Sequence, residues 1–324
     1  MINNQYTNSE VPRLAIVLPC HNESESIDHA VTQLTSLIQE LADEGLISKD
    51  SYLFFVDDGS TDNSWVMIDE LNQGNKAIKG LKLSQNFGHQ AALLAGLTEV
   101  TQNCDAAISI DADMQQDPLA IRDFVRELRK GFDVVLGVRK DRNSDGWLKR
   151  QTALGFYNLM RIMGVDIVPN HADYRLLSKR ALEALALFPE PSIFLRATCL
   201  QLGFRVSTVF FDVSERRYGQ TKYSLSKMLR LALHGITSFS VVPLRMVAIL
   251  GFVIFLSSLG MGGYVIWHKL FVGDTIPGWA SITLPIYFIG GVQLLCLGVV
   301  GEYVGQIYKT VKKRPRWISE YKLD

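Results

Sequence analysis

Two stretches of this 324-residue chain, Met246 to Trp267 and Ala280 to Val300, contain no Lys, Arg, Asp or Glu. Runs of about twenty uncharged residues exclude an ordinary surface helix and suffice to cross a ~30 Å hydrocarbon layer. Cysteine is nearly as scarce. Cys20, Cys104, Cys199 and Cys296 are scattered without C-x-x-C spacing, and one lies within an apolar run, which excludes a disulfide framework or a structural zinc site. There is no G-x-G-x-x-G and no G-x-x-x-x-G-K-[ST], so neither a dinucleotide-binding turn nor a P-loop holds any nucleotide here. Net charge is absent too, with 33 basic residues against 33 acidic, and no nucleic-acid partner is expected. Met1–Pro12 lacks the apolar core of a secretory signal, so the N-terminal part is expected in the cytoplasm.

What is present divides into two unlike parts. Up to about Leu233 the chain is mixed and soluble in character; beyond it, the two uncharged runs read as transmembrane helices. Gly251, Gly260, Gly262 and Gly263 in the first, with Gly290, Gly291 and Gly298 in the second, suit close packing on each other or on a neighbouring subunit. Lys222, Lys227, Arg230 and Arg245 precede the first span, and Lys309, Lys312, Lys313, Arg314 and Arg316 follow the second. Both flanks are therefore expected on the cytoplasmic side of a cell membrane. The expected divisions are an N-terminal tail (1–12), a catalytic domain (13–223), an interfacial amphipathic helix (224–240), a two-helix transmembrane domain (241–308) and a basic cytoplasmic tail (309–324). A homo-oligomer is expected.

In the first part, short apolar runs alternate with amphipathic stretches, the pattern of a doubly wound, mainly parallel sheet. Strands are predicted near Leu14–Leu18, Tyr52–Val56, Ile78–Leu83, Ala106–Ile110 and Asp133–Val138, with helices near Ser24–Asp43, Asn63–Leu71, Gln90–Val100 and Leu119–Arg129. Polar clusters close three of these strands. They are Pro19-Cys20-His21-Asn22-Glu23, Asp57-Asp58-Gly59-Ser60-Thr61-Asp62 and Asp111-Ala112-Asp113-Met114-Gln115-Gln116-Asp117. Ligands collect outside the carboxyl ends of strands in such sheets. Hard cations take one or two carboxylates plus phosphate oxygens, so Asp111 and Asp113 suit Mg2+ or Mn2+ beside a phosphorylated ligand. Asp57 and Asp58 repel each other unless a donor, such as a base NH or ribose hydroxyl, sits opposite.

These clusters, in this order, resemble the GT-A fold of family 2 glycosyltransferases. Asp173-Tyr174-Arg175-Leu176-Leu177, Glu215-Arg216-Arg217-Tyr218-Gly219, Pro243-Leu244-Arg245 and Gly301-Glu302-Tyr303 narrow the resemblance to polyprenyl-phosphate glycosyltransferases, over nearly the whole chain from Leu14 to Arg316. The resemblance implies a Rossmann-like α/β domain that transfers a sugar, with inversion, from a nucleotide sugar to a polyprenyl phosphate. It places Mg2+ or Mn2+ on Asp111 and Asp113, and the donor near Pro19, Asn22, Glu23, Asp57, Asp58, Asn86, Gly88, Ala112 and Gln115. Arg139, Arg216 and Lys222 match basic positions that address donor and acceptor phosphates. Asp173 matches the residue usually assigned as general base. A phosphate monoester, with a second pKa near ~6, is already nucleophilic at neutral pH, which leaves orientation of Arg175, the metal or a sugar hydroxyl as the other role. Asp117 is expected to cap the helix beginning near Leu119, and His89 to be structural. Trp147, Lys149 and Arg150 fall in an expected acceptor loop.

Two other classes share these features. A processive polysaccharide synthase would add Q-x-x-R-W and more membrane helices, neither of which is present. A non-catalytic nucleotide-binding subunit would have no need to keep Asp111, Asp113, Arg139, Asp173 and Arg216 together. Within the family the resemblance leans towards the bactoprenol glucosyltransferase branch, hence UDP-glucose and undecaprenyl phosphate.

Overall fold

The computed structural model describes residues 11–140, 168, 170–188, 195–212, 242–271 and 278–324. The described residues form two compact units, one running up to residue 212 and taking in 314–324, the other comprising 242–313.

The first unit is built on β1 (Leu14–Cys20), whose seven residues are all buried, as a near-continuous apolar run requires of a central parallel strand. It pairs in parallel with β2 (Tyr52–Asp57) on one side and β4 (Ala106–Ser109) on the other, and β2 pairs in parallel with β3 (Ile78–Leu83). The sheet continues through β6 (His171–Ser178), antiparallel to both β4 and β5 (Val134–Arg139), and ends at β7 (Val206–Phe211), parallel to β5. β8 (Ser319–Leu323) closes the opposite edge, antiparallel to β3. The order is β7-β5-β6-β4-β1-β2-β3-β8.

Alternate residues of β1 feed two cores. Leu14, Ile16 and Leu18 join the cluster under α1 (Ile27–Asp43), α2 (Ser64–Gly74) and α4 (Ile121–Arg129). Ala15 and Val17 join the cluster under α3 (His89–Val100), α5 (Lys179–Ala186) and α6 (Leu195–Gln201). In α1 the buried Ile27, Ala30, Leu34, Leu37 and Leu41 trace one helical stripe. α3 instead lies directly on the sheet at Gly96, where a Cβ would stand 2.5 Å from Val17 Cγ1 and 2.6 Å from Val56 Cγ2. The five predicted strands are present, β5 shifted by one residue. β6, β7 and β8 were not predicted, and the segment read only as a basic tail contains β8.

The second unit comprises α7 (Val242–Phe271) and α8 (Trp279–Val311). Among the described residues, one stretch, Phe288–Val311, is long and apolar enough to cross a membrane, with mean hydropathy 1.5; the apolar stretch of α7, Val242–Ile254, is shorter. Large apolar side chains such as Ile249, Phe252, Trp267, Leu294 and Leu297 are exposed. Such continuous apolar surface marks an interaction face rather than a water-facing one. Among the described residues, a Cβ at Gly251, Gly260, Gly263, Gly290, Gly291 or Gly298 would meet no atom within 4 Å. The expected interfacial helix at 224–240 lies outside the described residues.

Candidate active site

The C-terminal ends of β1, β2 and β4 carry the three polar clusters side by side, because these strands are parallel neighbours. The inversion of β6 brings its N-terminal end to the same edge, since Ser109, the last residue of β4, pairs with Arg175. Asp173 and His171 therefore extend beyond β4, level with the segment that follows it.

In that segment exposure alternates. Asp111, Asp113 and Gln115 are half-exposed while Ala112, Met114 and Gln116 are buried, so the three polar side chains share one side. Gln116 fixes the first of them: its Nε2 donates to Asp111 Oδ2 at 2.7 Å and its Oε1 accepts from Asp111 N at 3.1 Å. Asp113 Oδ1 accepts from Gln115 N at 3.2 Å. Asp117 caps the turn at Pro118–Ala120 by accepting from Leu119 N at 2.9 Å, as expected. Burial pushes the Asp111 carboxyl above its ordinary range; Asp173 and Asp113 push the same way, while His89 and Arg196 oppose them. Crowded carboxylates of this kind suit a divalent cation. No group of three or more His, Cys, Asp or Glu among the described residues converges as a complete metal cage. A pair of carboxylates is nonetheless the donor set of a hard cation that completes its shell with phosphate oxygens.

Asp173 lies deeper. Its carboxylate meets the guanidinium of Arg175, which is fully buried, and takes Arg196 Nη2 at 3.0 Å. Burial alone would raise its pKa, but Arg196 and Arg175 prevail and hold the carboxyl well below the usual carboxylate range. His89, the first residue of α3, closes the group, with Nε2 at 3.7 Å from Asp111 Oδ1 and 3.9 Å from Asp173 Oδ2. His171, Asp173 and Arg175 share a face through the two-residue period of a strand. Burial, then Arg175 and Arg196, press His171 down to about 2, so its imidazole is neutral; neither ring nitrogen has a partner among the described residues. On the opposite face Tyr174 lies between Phe124, tilted at a centroid distance of 4.7 Å, and Phe211, edge-on at 5.1 Å.

At the ends of β1 and β2 the polar residues chiefly bind one another. Asn22, at a positive φ of 55°, accepts from Thr61 N at 2.8 Å and donates through its own backbone N–H to Ser60 Oγ at 2.9 Å. Glu23 N donates to Ser64 Oγ at 2.9 Å. Asp57 is fully buried, and burial raises its pKa against the hydrogen bond from Ser60 and the charge of Lys82. Asp58 meets the need for an opposing donor within the chain: its two oxygens accept from Phe87 N at 2.7 Å and Gly88 N at 2.9 Å. Gly59, at φ +62°, has no room for a side chain, because a Cβ would lie 2.4 Å from Gln85 C. Pro19 is buried at the end of β1, whereas Asn86 is exposed in the loop leaving β3.

Of the expected cations, Arg139 stands exposed at the end of β5, its backbone N–H donating to Asn170 O at 3.3 Å. Arg216 and Lys222 lie outside the described residues, as do Trp147, Lys149 and Arg150. Arg196 and Gln116 were not singled out from the sequence, and His89, expected to be structural, has its ring beside both Asp111 and Asp173.

A mainly parallel sheet with paired carboxylates at one edge and arginines behind them fits the GT-A fold. Residues 15–186 match glycosyl transferase family 2, and residues 242–307 match the GtrB C-terminal hairpin. The "Uncharacterized glycosyltransferase YkoT" of Bacillus subtilis is 47% identical over 96% of this chain and 92% of its own length. A bactoprenol glucosyl transferase of Shigella phage SfX is 35% identical, over 94% of this chain and 98% of its own. Among solved structures, glucosyl-3-phosphoglycerate synthase from Mycobacterium tuberculosis resembles the chain with a TM-score of 0.49 and 20% identity, covering 71% of this chain and 80% of the other. The chain belongs to glycosyl transferase family 2 and is a glycosyltransferase.

Proposed function

We propose that the chain transfers glucose, with inversion, from UDP-glucose to undecaprenyl phosphate at the cytoplasmic face of a cell membrane. The observation that carries this reading is the half-exposed Asp111 and Asp113 beside the cluster of Asp173, Arg175, Arg196 and His89, in a chain related along almost its whole length to bactoprenol glucosyl transferases.

Asp111 and Asp113 would hold Mg2+ or Mn2+, which when bound supplies positive charge to the departing diphosphate. Gln116 holds the Asp111 carboxylate in place for that role. Pro19, Asn22, Glu23, Asp57, Asp58, Asn86, Gly88, Ala112 and Gln115 form the donor side of this reading, the first two clusters acting largely by fixing loop shape. Arg139, Arg216 and Lys222 would offset the charge of a lipid phosphate brought next to a diphosphate, because several negative groups within a few ångströms repel strongly. Asp173, tied to two arginines, suits an orienting role better than that of a proton acceptor; the acceptor phosphate needs no base at neutral pH. α7 and α8 would form two membrane spans with both termini cytoplasmic, and their glycines, facing open space, would suit contact with a second copy of the chain.

The test is nucleoside diphosphate release by the full chain in lipid, with undecaprenyl phosphate and Mg2+ or Mn2+, across UDP-glucose, UDP-GlcNAc, UDP-galactose and GDP-mannose. The expected result is release with UDP-glucose, lost on chelation and in Asp113→Asn. Absence of release with every donor would overturn the proposal, and a polymeric product would favour a processive synthase.

A further inference from the structure

The segment after α8 does more than end the chain. β8 pairs with β3 from Gly80↔Leu323 to Leu83↔Ser319, and Ser84 N, at the start of the following loop, donates to Ile318 O at 2.9 Å. Trp317 lies against the core cluster that contains Leu83 and has Phe87 at its margin, and the Arg316 guanidinium donates to Phe188 O. Leu323 covers Gly80, and Asn72 Nδ2 reaches Asp324 O at 3.4 Å. Two ion pairs flank the strand, Lys82 with Glu320 at 3.0 Å and Lys322 with Glu99 at 2.7 Å. Partly exposed pairs contribute little, so backbone pairing together with Trp317 and Leu323 must supply most of the hold.

What β8 fastens leads straight to the site. The loop from Ser84 to Gly88 gives its Phe87 and Gly88 amides to Asp58, lies against Gly59, and delivers His89 to Asp111 and Asp173. We propose that residues 316–323 act as a strap that positions the 84–88 loop for donor binding, with Trp317 as its principal positioning residue. The inference rests on the reading of this edge as the nucleotide-sugar side. Mere edge closure would lower stability and nothing else.

The test uses the full chain in lipid, a chain ending at Pro315, and Trp317→Ala with Trp317→Phe as the conservative rescue. Amide exchange at Phe87 and Gly88 should accelerate by about tenfold or more in the truncated chain while β1 and β4 stay protected. The KM for UDP-glucose should rise roughly five- to tenfold, with the KM for undecaprenyl phosphate and kcat within about twofold of the parent. Trp317→Ala should show a smaller change in the same direction, reversed by Trp317→Phe. Unchanged exchange at Phe87 and Gly88 in both altered chains would overturn the proposal, as would equal changes in both KM values. If the truncated chain fails to fold, Trp317→Ala decides. If the parent turns over no nucleotide sugar, the donor reading fails while the exchange measurement still decides the strap.

Discussion

The two halves of the sheet's C-terminal edge use the same residue type in opposite ways. At the end of β2, Asp57 and Asp58 are buried and their carboxylates are occupied by Ser60, Phe87 and Gly88 amides, so they build loops. Beyond β4, Asp111 and Asp113 are half-exposed and lie beside a carboxylate already claimed by two arginines. A pair of aspartates is architecture where it is buried and accepts from the amides of another loop, and open to chemistry where it is half-exposed and its bonds stay within its own turn. The first half shapes a cradle; the second holds charge that a ligand can use.

If that contrast holds, altering the two halves has different consequences. Asp113→Asn or Asp111→Asn should lower turnover by on the order of a hundredfold or more while leaving the melting temperature nearly unchanged, because a charge is lost while the amide oxygen still accepts from Gln115 N or Gln116 Nε2. Parallel measurement of nucleoside diphosphate release and thermal unfolding checks it; equal losses of both would erase the contrast. Asp173→Asn should destabilise by about 3–5 kcal/mol, since it leaves the buried Arg175 without its counter-charge. Denaturant unfolding reads this, and replacing Arg175 with Met in the same chain should recover part of it. Gly59→Ala should cost at least about 1–2 kcal/mol from its left-handed backbone alone. It should also raise the donor KM by parting the loops at Gly59 and Gln85, whereas an unchanged KM would detach that clasp from the site. The smallest effect concerns Asp62, whose carboxyl, despite the upward push of burial, is lowered to about 2 by hydrogen bonds from Ser64 and Ser24. Its folded value lies below the ordinary ~3.9, so its stabilisation is complete above that value and disappears as pH falls towards about 2. Asp62→Asn should flatten the stability profile across that acid window, and an unaltered slope would show the loop to be held by other bonds.

The parts of the fold legible in the sequence were those whose strands are buried on both faces. β1, β2 and β4 are continuous apolar runs, and the carboxyl clusters at their ends could be placed from the runs alone. β6 was read as a motif instead of a strand because its inward positions are His171, Asp173 and Arg175, of which the two charged groups become tolerable inside by meeting Arg196 and each other. β8 carries no apolar run, since an edge strand needs only backbone partners. Arg196 lies in no recognisable motif. The sole hint of it was the imbalance of Asp173 and Arg175 beside further acidic residues, and that imbalance is visible only once β6 is known to run against β4. Asp117 was assigned correctly from helix-start chemistry, which is local.

The position of β8 also sets an order on how the enzyme comes into being. The catalytic sheet is interrupted by the whole of α7 and α8 and receives its edge strand, β8, from the segment that follows them. Until then β3 presents an open edge of unpaired amides and carbonyls, a surface that other chains can add to. A fragment cut before α7 would keep that edge permanently, so solubility of the isolated catalytic domain should depend on supplying residues 314–324 again, joined by a short linker to its end. Completion of the sheet thus waits for α7 and α8 to be made, because the strand that covers the β3 edge follows both helices in the chain.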